Sequence, residues 1–222
     1  MNILCLAATA FEIAPFLKEE PIADYLITGV GTPMTIYHIA KRLQQIDYDM
    51  VIQAGIAGSF TPGLQPGEIV FVKRDCFADL GITEQKVFST IFEKGFTDEN
   101  EFPFSKGWLE NPNTFMDLFP FNQVTGVTVN TVTDDADQVR MLRTKFDAQV
   151  ETMEGAALHF TCLNEKIPFI QLRSISNYVG ERDKSKWKME ESIQVLNASL
   201  KDIVNHLTSG TTEQIKALTS DK

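Results

Sequence analysis

Two glutamates of this sequence stand where apolar residues would be expected. Glu12 lies in A-T-A-F-E-I-A-P-F, and Glu154 lies in V-E-T-M-E-G-A-A (150–157), where a buried strand gives way to an apolar helix. A buried carboxylate costs free energy unless a partner or a ligand satisfies it. Glu12 is therefore a candidate general acid or base. Glu154 fits a first-turn acid that favours the helix dipole equally well, and Glu151 is left without a role.

A glycine-rich turn and a polar strand end supply further candidates. A-G-I-A-G-S-F (54–60) follows a buried strand, and Arg173 and Asn177 end the strand I-Q-L-R-S-I-S-N. In open α/β sheets, ligands bind beyond the carboxyl ends of the strands, where small residues let the backbone approach them closely. A tight turn is the simpler interpretation of 54–60, and a strand-end asparagine is often a turn residue. Because no G-K-[ST] follows, we exclude a nucleoside triphosphate cradle.

The sequence contains no complete motif for binding a dinucleotide or a metal, or for a serine nucleophile. G-V-G-T-P-M (29–34) lacks the third glycine and the later acid of a dinucleotide fingerprint, so we interpret it as a tight strand-to-helix turn. His38, His159 and His206 fall on predicted helices without metal-ligand spacing. No G-x-S-x-G elbow occurs. We therefore expect no metal and no cofactor.

Composition and charge narrow the function classes. The chain has 222 residues, a net charge of −10 and a pI of about 4.8, which argues against a phosphate-backbone partner, so we expect no nucleic acid. No apolar run approaches the roughly 20 residues of a membrane helix, and we expect neither a membrane partner nor a signal peptide. The three cysteines form no C-x-x-C pair, which favours a reducing, cytoplasmic location.

Apolar patterns predict the elements that must position these residues. Strand patterns occur at 1–8, 24–31, 48–55, 67–72, 123–130 and 167–176. Helix patterns occur at 32–46, 136–146, 156–164 and 189–207. They predict one α/β domain over 1–207 with a mixed sheet covered on both faces. Within the chain, 76–122 is an aromatic-rich functional insertion, and 208–222 is a polar tail.

Taken in order, the motifs resemble those of the purine nucleoside phosphorylase/nucleosidase superfamily. The resemblance is carried by Glu12, V-I-Q-A-G-I-A-G-S-F, P-G-E-I-V-F-V, M-E-G-A-A and R-S-I-S-N, which span nearly the whole chain. F-A-D-L-G (77–81) and S-I-S-N-Y-V-G-E-R-D-K-S-K-W (174–187) look like a branch of nucleosidases that releases hypoxanthine. The resemblance implies an α/β/α sandwich with a central mixed, partly barrel-like β-sheet.

The resemblance also implies a role for each residue. Glu12 would orient and deprotonate a water, and Glu154 would accept hydrogen bonds from the ribose 2′- and 3′-hydroxyls. Met153 would pack against the ribose, and Arg173 would hold Glu12 or the water. Further substrate contacts would come from Ala54, Gly55, Ile56 and Val132, and from Phe104, which lies in the insertion and would cover the 5′ substituent.

Asn177 departs from one branch of the superfamily in an informative way. By resemblance, nucleosidases that act on methylthioadenosine place an aspartate here, as the acid that protonates the leaving adenine. An asparagine cannot deliver a proton, but its NH₂ can donate to O6 and N7 of a 6-oxopurine. Asn177, oriented by Ser176, therefore favours inosine-type over adenosine-type substrates.

Several functions stay open at this point. Phosphorolysis would need basic residues around a phosphate, and no arginine lies in or next to 54–60, so we expect hydrolysis. The alternatives are a nucleosidase or phosphorylase for another purine nucleoside, including methylthioadenosine, and a non-catalytic nucleoside-binding protein. The expected partners are a small purine nucleoside and further copies of the chain, in a homodimer or larger assembly.

Overall fold

Ten strands and five helices build the part of the chain that the structure, a computed structural model, describes, residues 1–209. The strands are β1 (Ile3–Ala7), β2 (Asp24–Ile27), β3 (Met50–Ser59), β4 (Ile69–Asp75), β5 (Gly81–Glu84), β6 (Val87–Thr90), β7 (Leu109–Glu110), β8 (Asn122–Thr128), β9 (Val150–Thr152) and β10 (Phe169–Tyr178). The helices are α1 (Ala10–Lys18), α2 (Thr32–Leu43), α3 (Ala136–Lys145), α4 (Gly155–Glu165) and α5 (Met189–Ser209). All six predicted strands and four predicted helices are present, with their ends shifted by a few residues.

The main sheet closes on itself. Its order is β10-β4-β8-β9-β3-β1-β2, and β10 also pairs with β3, so five of these strands form a closed barrel from which β1 and β2 extend. The β3–β10, β4–β8 and β8–β9 pairs are parallel, whereas β10–β4 and β3–β9 are antiparallel. The predicted mixed, partly barrel-like sheet is therefore confirmed.

Helices cover both faces of the sheet, as predicted. On one face, α1 and α5 bury Ile13, Leu200 and Ile203 against alternate residues of β3 and β10. On the other face, α2 and α4 bury Ile39 and Leu158 against β1 and β3. Because both faces are apolar, the polar residues of β3 and β10 are confined to the barrel and to the strand ends.

Helix α1 was not predicted, and it carries Glu12. Pro15 lies inside it, which hid the helical pattern. The signal that could have revealed it is the capping box formed by Thr9 and Glu12, an N-cap residue followed three positions later by a glutamate. The helix places Glu12 in its first turn, just past the end of β1.

The predicted insertion at 76–122 contains short elements of its own. A β5–β6 hairpin forms a separate two-stranded sheet, β7 pairs with the end of β4, and a 3₁₀ turn spans Phe115–Leu118. At the other end of the chain, α5 continues through Ser209, two residues past the predicted boundary at 207. The rest of the predicted tail, 210–222, lies outside the described residues. Across 1–209, no helix is long and apolar enough to cross a membrane.

Candidate active site

The carboxylate of Glu12 is held between two strand ends. Its Oε2 accepts hydrogen bonds from the backbone N–H of Thr9 (3.0 Å) and from Thr9 Oγ1 (2.9 Å). Its Oε1 accepts the N–H of Ile56 (3.3 Å), in the glycine-rich end of β3. Glu12 is only 8% exposed. These bonds fix the carboxylate in one orientation, as a group that positions a water requires.

Arg173 lies beside Glu12, in space that Gly55 leaves open. The two strands pair Arg173 with Gly55, and a Cβ built on Gly55 would collide with Arg173 Nη1 and lie 3.1 Å from Glu12 Oε1. Arg173 Nη2 donates to Gln53 Oε1, two residue pairs earlier in the same strands. Glycine at position 55 therefore brings a buried guanidinium and a carboxylate together.

The charge of Arg173 is balanced by carboxylates. Burial lowers the pKa of Arg173, while three nearby carboxylates raise it, those of Glu154, Glu12 and Asp75. A buried cation is tolerated when such partners compensate its lost hydration. Arg173 thus joins the two glutamates singled out in the sequence into one electrostatic unit.

Glu154 stands at the start of α4 and accepts a hydrogen bond from a distant turn. Its Oε1 accepts the N–H of Gly31 at 2.9 Å. Burial raises the pKa of Glu154, while Arg173 and the Gly31 N–H lower it, and Glu12 raises it further. The buried carboxylate of Glu154 therefore needs hydrogen-bond or charged partners to stay ionised. A ligand hydroxyl would be such a partner.

The turn at 29–34 connects a strand to a helix and also binds a carboxylate of the site. It is the tight turn that we predicted, with positive φ at Gly29 (82°) and Gly31 (91°), conformations suited to glycine. It also donates the Gly31 N–H to Glu154, a contact that the sequence analysis missed. Glycine amides at a strand's C-terminal end can approach a ligand or a carboxylate, but nothing in the sequence identified Glu154 as the partner.

The Asn177 side chain has a fixed orientation. Ser176 Oγ donates to Asn177 Oδ1 at 2.7 Å, and Asn177 Nδ2 donates to the Tyr178 carbonyl at 2.9 Å. Ser176 is buried and Asn177 is partly exposed. The amide carbonyl is thus turned toward Ser176, and the NH₂ group keeps one N–H available for another acceptor.

The other predicted contacts have different surroundings in the structure. Ala54 is fully buried, and its side chain belongs to the core packed by α5, so its backbone alone remains for a ligand. Phe104 packs on Phe92 (5.1 Å between ring centroids) and on Phe160 of α4 (6.0 Å). Met153 is partly buried next to Glu154, and Val132 is 37% exposed in the loop before α3.

A further buried carboxyl group, that of Asp75, was not identified from the sequence. It accepts hydrogen bonds from the Cys76 N–H (2.8 Å), from Thr128 Oγ1 (3.0 Å) and from Gln171 Nε2 (3.2 Å). Burial raises its pKa to about 7. Its position at the end of an apolar strand, V-F-V-K-R-D, is the same signal that singled out Glu12. Asp75 is also one of the three carboxylates that balance the charge of Arg173.

No metal site is formed by the residues described. Within 1–209, no group of three or more histidine, cysteine, aspartate and glutamate side chains is arranged to hold a metal ion. Nδ1 of the buried His159 donates to the Leu109 carbonyl (2.9 Å), and burial lowers the pKa of His159 to about 4.

A barrel-like mixed sheet with two glutamates, an arginine and an asparagine at its strand ends defines a nucleoside phosphorylase-like protein. The profile of the Phosphorylase superfamily matches residues 25–209, and the chain belongs to this family. The chain is 28% identical over 216 residues to the futalosine hydrolase of Thermus thermophilus, covering 90% of the chain and 94% of the relative. It is 30% identical over 190 residues to the futalosine hydrolase of Streptomyces coelicolor, with 83% and 77% covered.

Relatives of a second kind are also similar. The 5′-methylthioadenosine/S-adenosylhomocysteine nucleosidase of Buchnera aphidicola is 26% identical over 179 residues, covering 78% of the chain and 74% of the relative. Among solved structures, the native futalosine hydrolase of Helicobacter pylori superposes with a TM-score of 0.76 at 18% identity, covering 93% and 98% of the two chains. The methylthioadenosine/adenosylhomocysteine nucleosidase of the same organism gives a TM-score of 0.79 at 18% identity, with the same coverage. These similarities confirm the predicted fold and superfamily.

Proposed function

We propose that this protein hydrolyses the N-glycosidic bond of futalosine and releases hypoxanthine. Futalosine hydrolases from three species match the chain at 28 to 31% identity over most of its length, which supports this substrate. The observation that carries the choice of base is the fixed amide of Asn177, whose carbonyl oxygen accepts from Ser176 and whose NH₂ group donates to the Tyr178 carbonyl. An amide so fixed can donate a hydrogen bond but cannot deliver a proton.

In the proposed reaction, Glu12 activates the water. Cleavage of a ribosyl–purine bond passes through an oxocarbenium-like state, in which a base must take a proton from the attacking water. The two oxygens of Glu12 are fixed by Thr9 and by the N–H of Ile56, so the carboxylate needs no reorientation. Arg173, buried beside Glu12, attracts the glutamate carboxylate and is its positioning residue.

Glu154 is the proposed acceptor for the ribose diol. Its carboxylate is buried, and one oxygen is bonded to the Gly31 N–H. Two hydroxyl donors from the ribose would offset the free energy of that burial. Met153, next to Glu154 along the chain, supplies an apolar side chain against the sugar.

Asn177 is the proposed contact to the leaving base. As the glycosidic bond breaks, negative charge develops on the hypoxanthine ring, and a fixed N–H donor stabilises it. One N–H of the Asn177 amide is bonded to the Tyr178 carbonyl, so one remains for O6 or N7. With adenine, the same N–H would face the amino group, which is also a donor, so no hydrogen bond would form there. The contact therefore favours 6-oxopurine over 6-aminopurine substrates.

Hydrolysis is favoured over phosphorolysis by the groups around β3. A phosphate dianion needs converging cations and backbone N–H donors. Here the N–H of Ile56 already bonds the Glu12 carboxylate, and a carboxylate at that point repels a phosphate. The one arginine at the site, Arg173, is buried and donates to Gln53.

The proposal is tested by product analysis. Purified protein is incubated with futalosine, inosine and methylthioadenosine, with and without inorganic phosphate, and released bases are separated and quantified. We expect hypoxanthine from futalosine at a rate independent of phosphate, and no adenine from methylthioadenosine. Strict dependence on phosphate would show a phosphorylase, and equal release of adenine would favour the methylthioadenosine nucleosidases, the second candidate that the relatives suggest.

Further aspects of the proposal concern the cellular setting. We propose that the chain acts in menaquinone biosynthesis, in the cytoplasm, and as a homodimer or larger assembly. Exposed aromatic side chains in the insertion, Phe96 (66%) and Phe102 (65%), support a subunit contact there. Light scattering coupled to size-exclusion chromatography tests the assembly, and a monomer at micromolar concentration would contradict it.

A further inference from the structure

Asn197 lies on the buried side of α5, among apolar residues. Its neighbours on that side of the helix, Ile193, Leu196 and Leu200, are buried, and Asn197 itself is only 4% exposed. Asparagine is a weak helix former and is found mostly at protein surfaces. Burying its amide costs free energy unless the polar atoms are hydrogen-bonded. An asparagine at this position therefore needs partners.

The partners of the Asn197 side chain are mainly backbone groups of α1. Its Oδ1 accepts the N–H of Phe16 at 2.9 Å, and its Nδ2 donates to the carbonyl of Glu12 at 2.8 Å. Nδ2 also donates to the carbonyl of Ile193, one turn earlier in α5, at 2.6 Å. The orientation of the amide is defined, because exchanging its oxygen and nitrogen would set an acceptor against two carbonyls.

The two α1 groups that Asn197 binds belong to one pair of the helix ladder. In a regular α-helix, each N–H bonds the carbonyl four residues earlier, so the N–H of Phe16 would bond the carbonyl of Glu12. Pro15 stands directly before Phe16, inside the helix. A proline there clashes with the carbonyl four residues before it and bends the helix. Asn197 supplies a donor and an acceptor to α1 next to that proline.

Glu12 is consequently held at both ends. Its carboxylate accepts hydrogen bonds from Thr9 and from the N–H of Ile56, and its carbonyl accepts one from Asn197. The bond from Ile56 is 3.3 Å long, near the upper limit for a hydrogen bond. A small movement of the Glu12 backbone would therefore break it and release one oxygen of the carboxylate.

Helix α5 is itself bonded to the opposite side of the site. Ser192 Oγ donates to the carbonyl of Ile175 (2.7 Å), and the N–H of Lys188, just before the helix, donates to the carbonyl of Ser176 (3.0 Å). These bonds hold the start of α5 to the end of β10, which carries the proposed contact to the leaving base. Through Asn197, the same helix also holds α1.

We propose that Asn197 is a positioning residue for Glu12, the proposed general base. The inference rests on the proposed function and deepens it, because it adds a residue that acts through Glu12 without touching the substrate. Misplacing a catalytic group by about 1 Å can lower a rate by about 100-fold. The proposed contacts to the ribose and to the base lie on other elements, so loss of the Asn197 bonds affects the chemical step and spares substrate binding.

The experiment measures kcat and KM for futalosine in two variants. Asn197→Asp keeps the shape and the acceptor for the Phe16 N–H, but an ionised aspartate has no hydrogen for the Glu12 carbonyl. Asn197→Leu is similar in size and forms neither bond. We expect both variants to lower kcat by at least about 10-fold and to change KM by less than about threefold.

Two controls separate positioning from a general loosening of α5. Asn205→Asp changes an exposed asparagine of the same helix. Leu200→Ala removes core packing from α5 and leaves the Asn197 amide in place. We expect both controls to keep kcat within about threefold of the wild type, at a temperature where circular dichroism shows each protein folded. If Leu200→Ala lost as much kcat as Asn197→Asp, looser packing would explain the loss and the inference would be overturned.

A second-site variant tests the route through the α1 ladder. In Pro15→Ala the proline ring is gone, so α1 can pair the N–H of Phe16 with the Glu12 carbonyl by itself. We expect Asn197→Leu to lower kcat by less than about threefold in this background. Equal losses of kcat with and without Pro15 would contradict the proposal.

The same background covers the case in which the Asn197 variants do not fold. If Asn197→Leu folds only together with Pro15→Ala, and then keeps the kcat of Pro15→Ala, the helix bond has replaced the amide, as the proposal requires. If Asn197→Leu stays unfolded in both backgrounds, Asn197 serves the fold as a whole, and the inference is overturned.

Failure of this inference and failure of the proposed function give different results. If the wild type hydrolyses futalosine and both Asn197 variants keep its kcat, Asn197 does not position Glu12, and the proposed function stands. If the wild type releases no base from futalosine, inosine or methylthioadenosine, the proposed function and the inference are overturned together.

Discussion

The guanidinium of Arg173 fills the space that a side chain at Gly55 would occupy. The two residues are paired across neighbouring parallel strands, and Glu12 Oε1 borders the same space. Each of the three residue types therefore depends on the other two. The missing side chain at Gly55 leaves room for the guanidinium, and the carboxylate of Glu12 compensates part of the hydration that this buried cation has lost.

Gly55→Ala should damage activity more than stability. The new Cβ would displace the Arg173 head and disturb Glu12, and overpacking in a well-packed core costs about 1–3 kcal/mol. We expect kcat/KM for futalosine to fall by at least about 100-fold, because a small misplacement of catalytic groups has that effect. Gly63→Ala is the matched control, since its Cβ would meet only Thr61 Oγ1, at 3.5 Å. A Gly55→Ala protein with wild-type activity would contradict this account of the site.

Glu12→Gln should abolish turnover and spare binding. The amide cannot accept the proton of the water, and general base catalysis contributes about 10² to 10⁴ in rate. We expect kcat to fall by that factor, while the affinity for hypoxanthine, measured by calorimetry, changes less than about threefold. If Glu12→Gln kept more than a tenth of the wild-type kcat, another residue would be the general base.

Asn177→Asp should shift the preference toward 6-aminopurines. The aspartate keeps an acceptor for Ser176 Oγ and, when protonated, can donate a proton to a leaving adenine. We expect the ratio of kcat/KM for inosine to that for adenosine to fall at least about 10-fold. Ser176→Ala, which frees the amide, should raise KM more than it lowers kcat. An unchanged ratio in Asn177→Asp would leave the discrimination to other contacts.

Asp75→Asn should make stability less dependent on pH. The folded protein holds the Asp75 proton up to a pKa of about 7, whereas an unfolded chain releases it near about 3.9. Between these values the folded state binds more protons, so Asp75 favours folding fully below about pH 4, and that contribution is lost as pH rises to 7. The loss is at most about 1.4 kcal/mol per pH unit.

The measurement is urea unfolding of the wild type and Asp75→Asn at pH 5 and pH 8. Because asparagine imitates the protonated acid, the variant should gain relative to the wild type at pH 8. His159 works in the opposite direction, since its pKa of about 4 removes stability as pH falls below about 6.5, but it is common to both proteins. Parallel pH dependences in the two proteins would show that Asp75 is ionised throughout.

The secondary structure was largely readable from the sequence because its signals are local. Continuous apolar runs identified the buried strands, and helical spacing identified α2 to α5. Helix α1 escaped because Pro15 broke the pattern, although the Thr9–Glu12 capping box was present. Glu12, Glu154, Arg173 and Asn177 were singled out by residue type and by position at element ends.

The partners of these residues were not readable, because strand pairing sets them. Gly31 and Glu154 are 123 residues apart and meet only when the sheet forms, because β3 and β1 lie between β9 and β2 in its order. The turn that contains Gly31 gave no local sign of that contact. Asp75 had a local signal, its position at the end of an apolar strand, but its partners Thr128 and Gln171 come from two other strands of the barrel and could not be read from the sequence.

The sequence by itself determined which chemical groups this protein has and which kind of element carries each one. Closure of the barrel decided which groups share a space. It put Arg173 into the gap at Gly55. The physical reason is register, because a shift of one residue would turn every side chain of a strand to the opposite face.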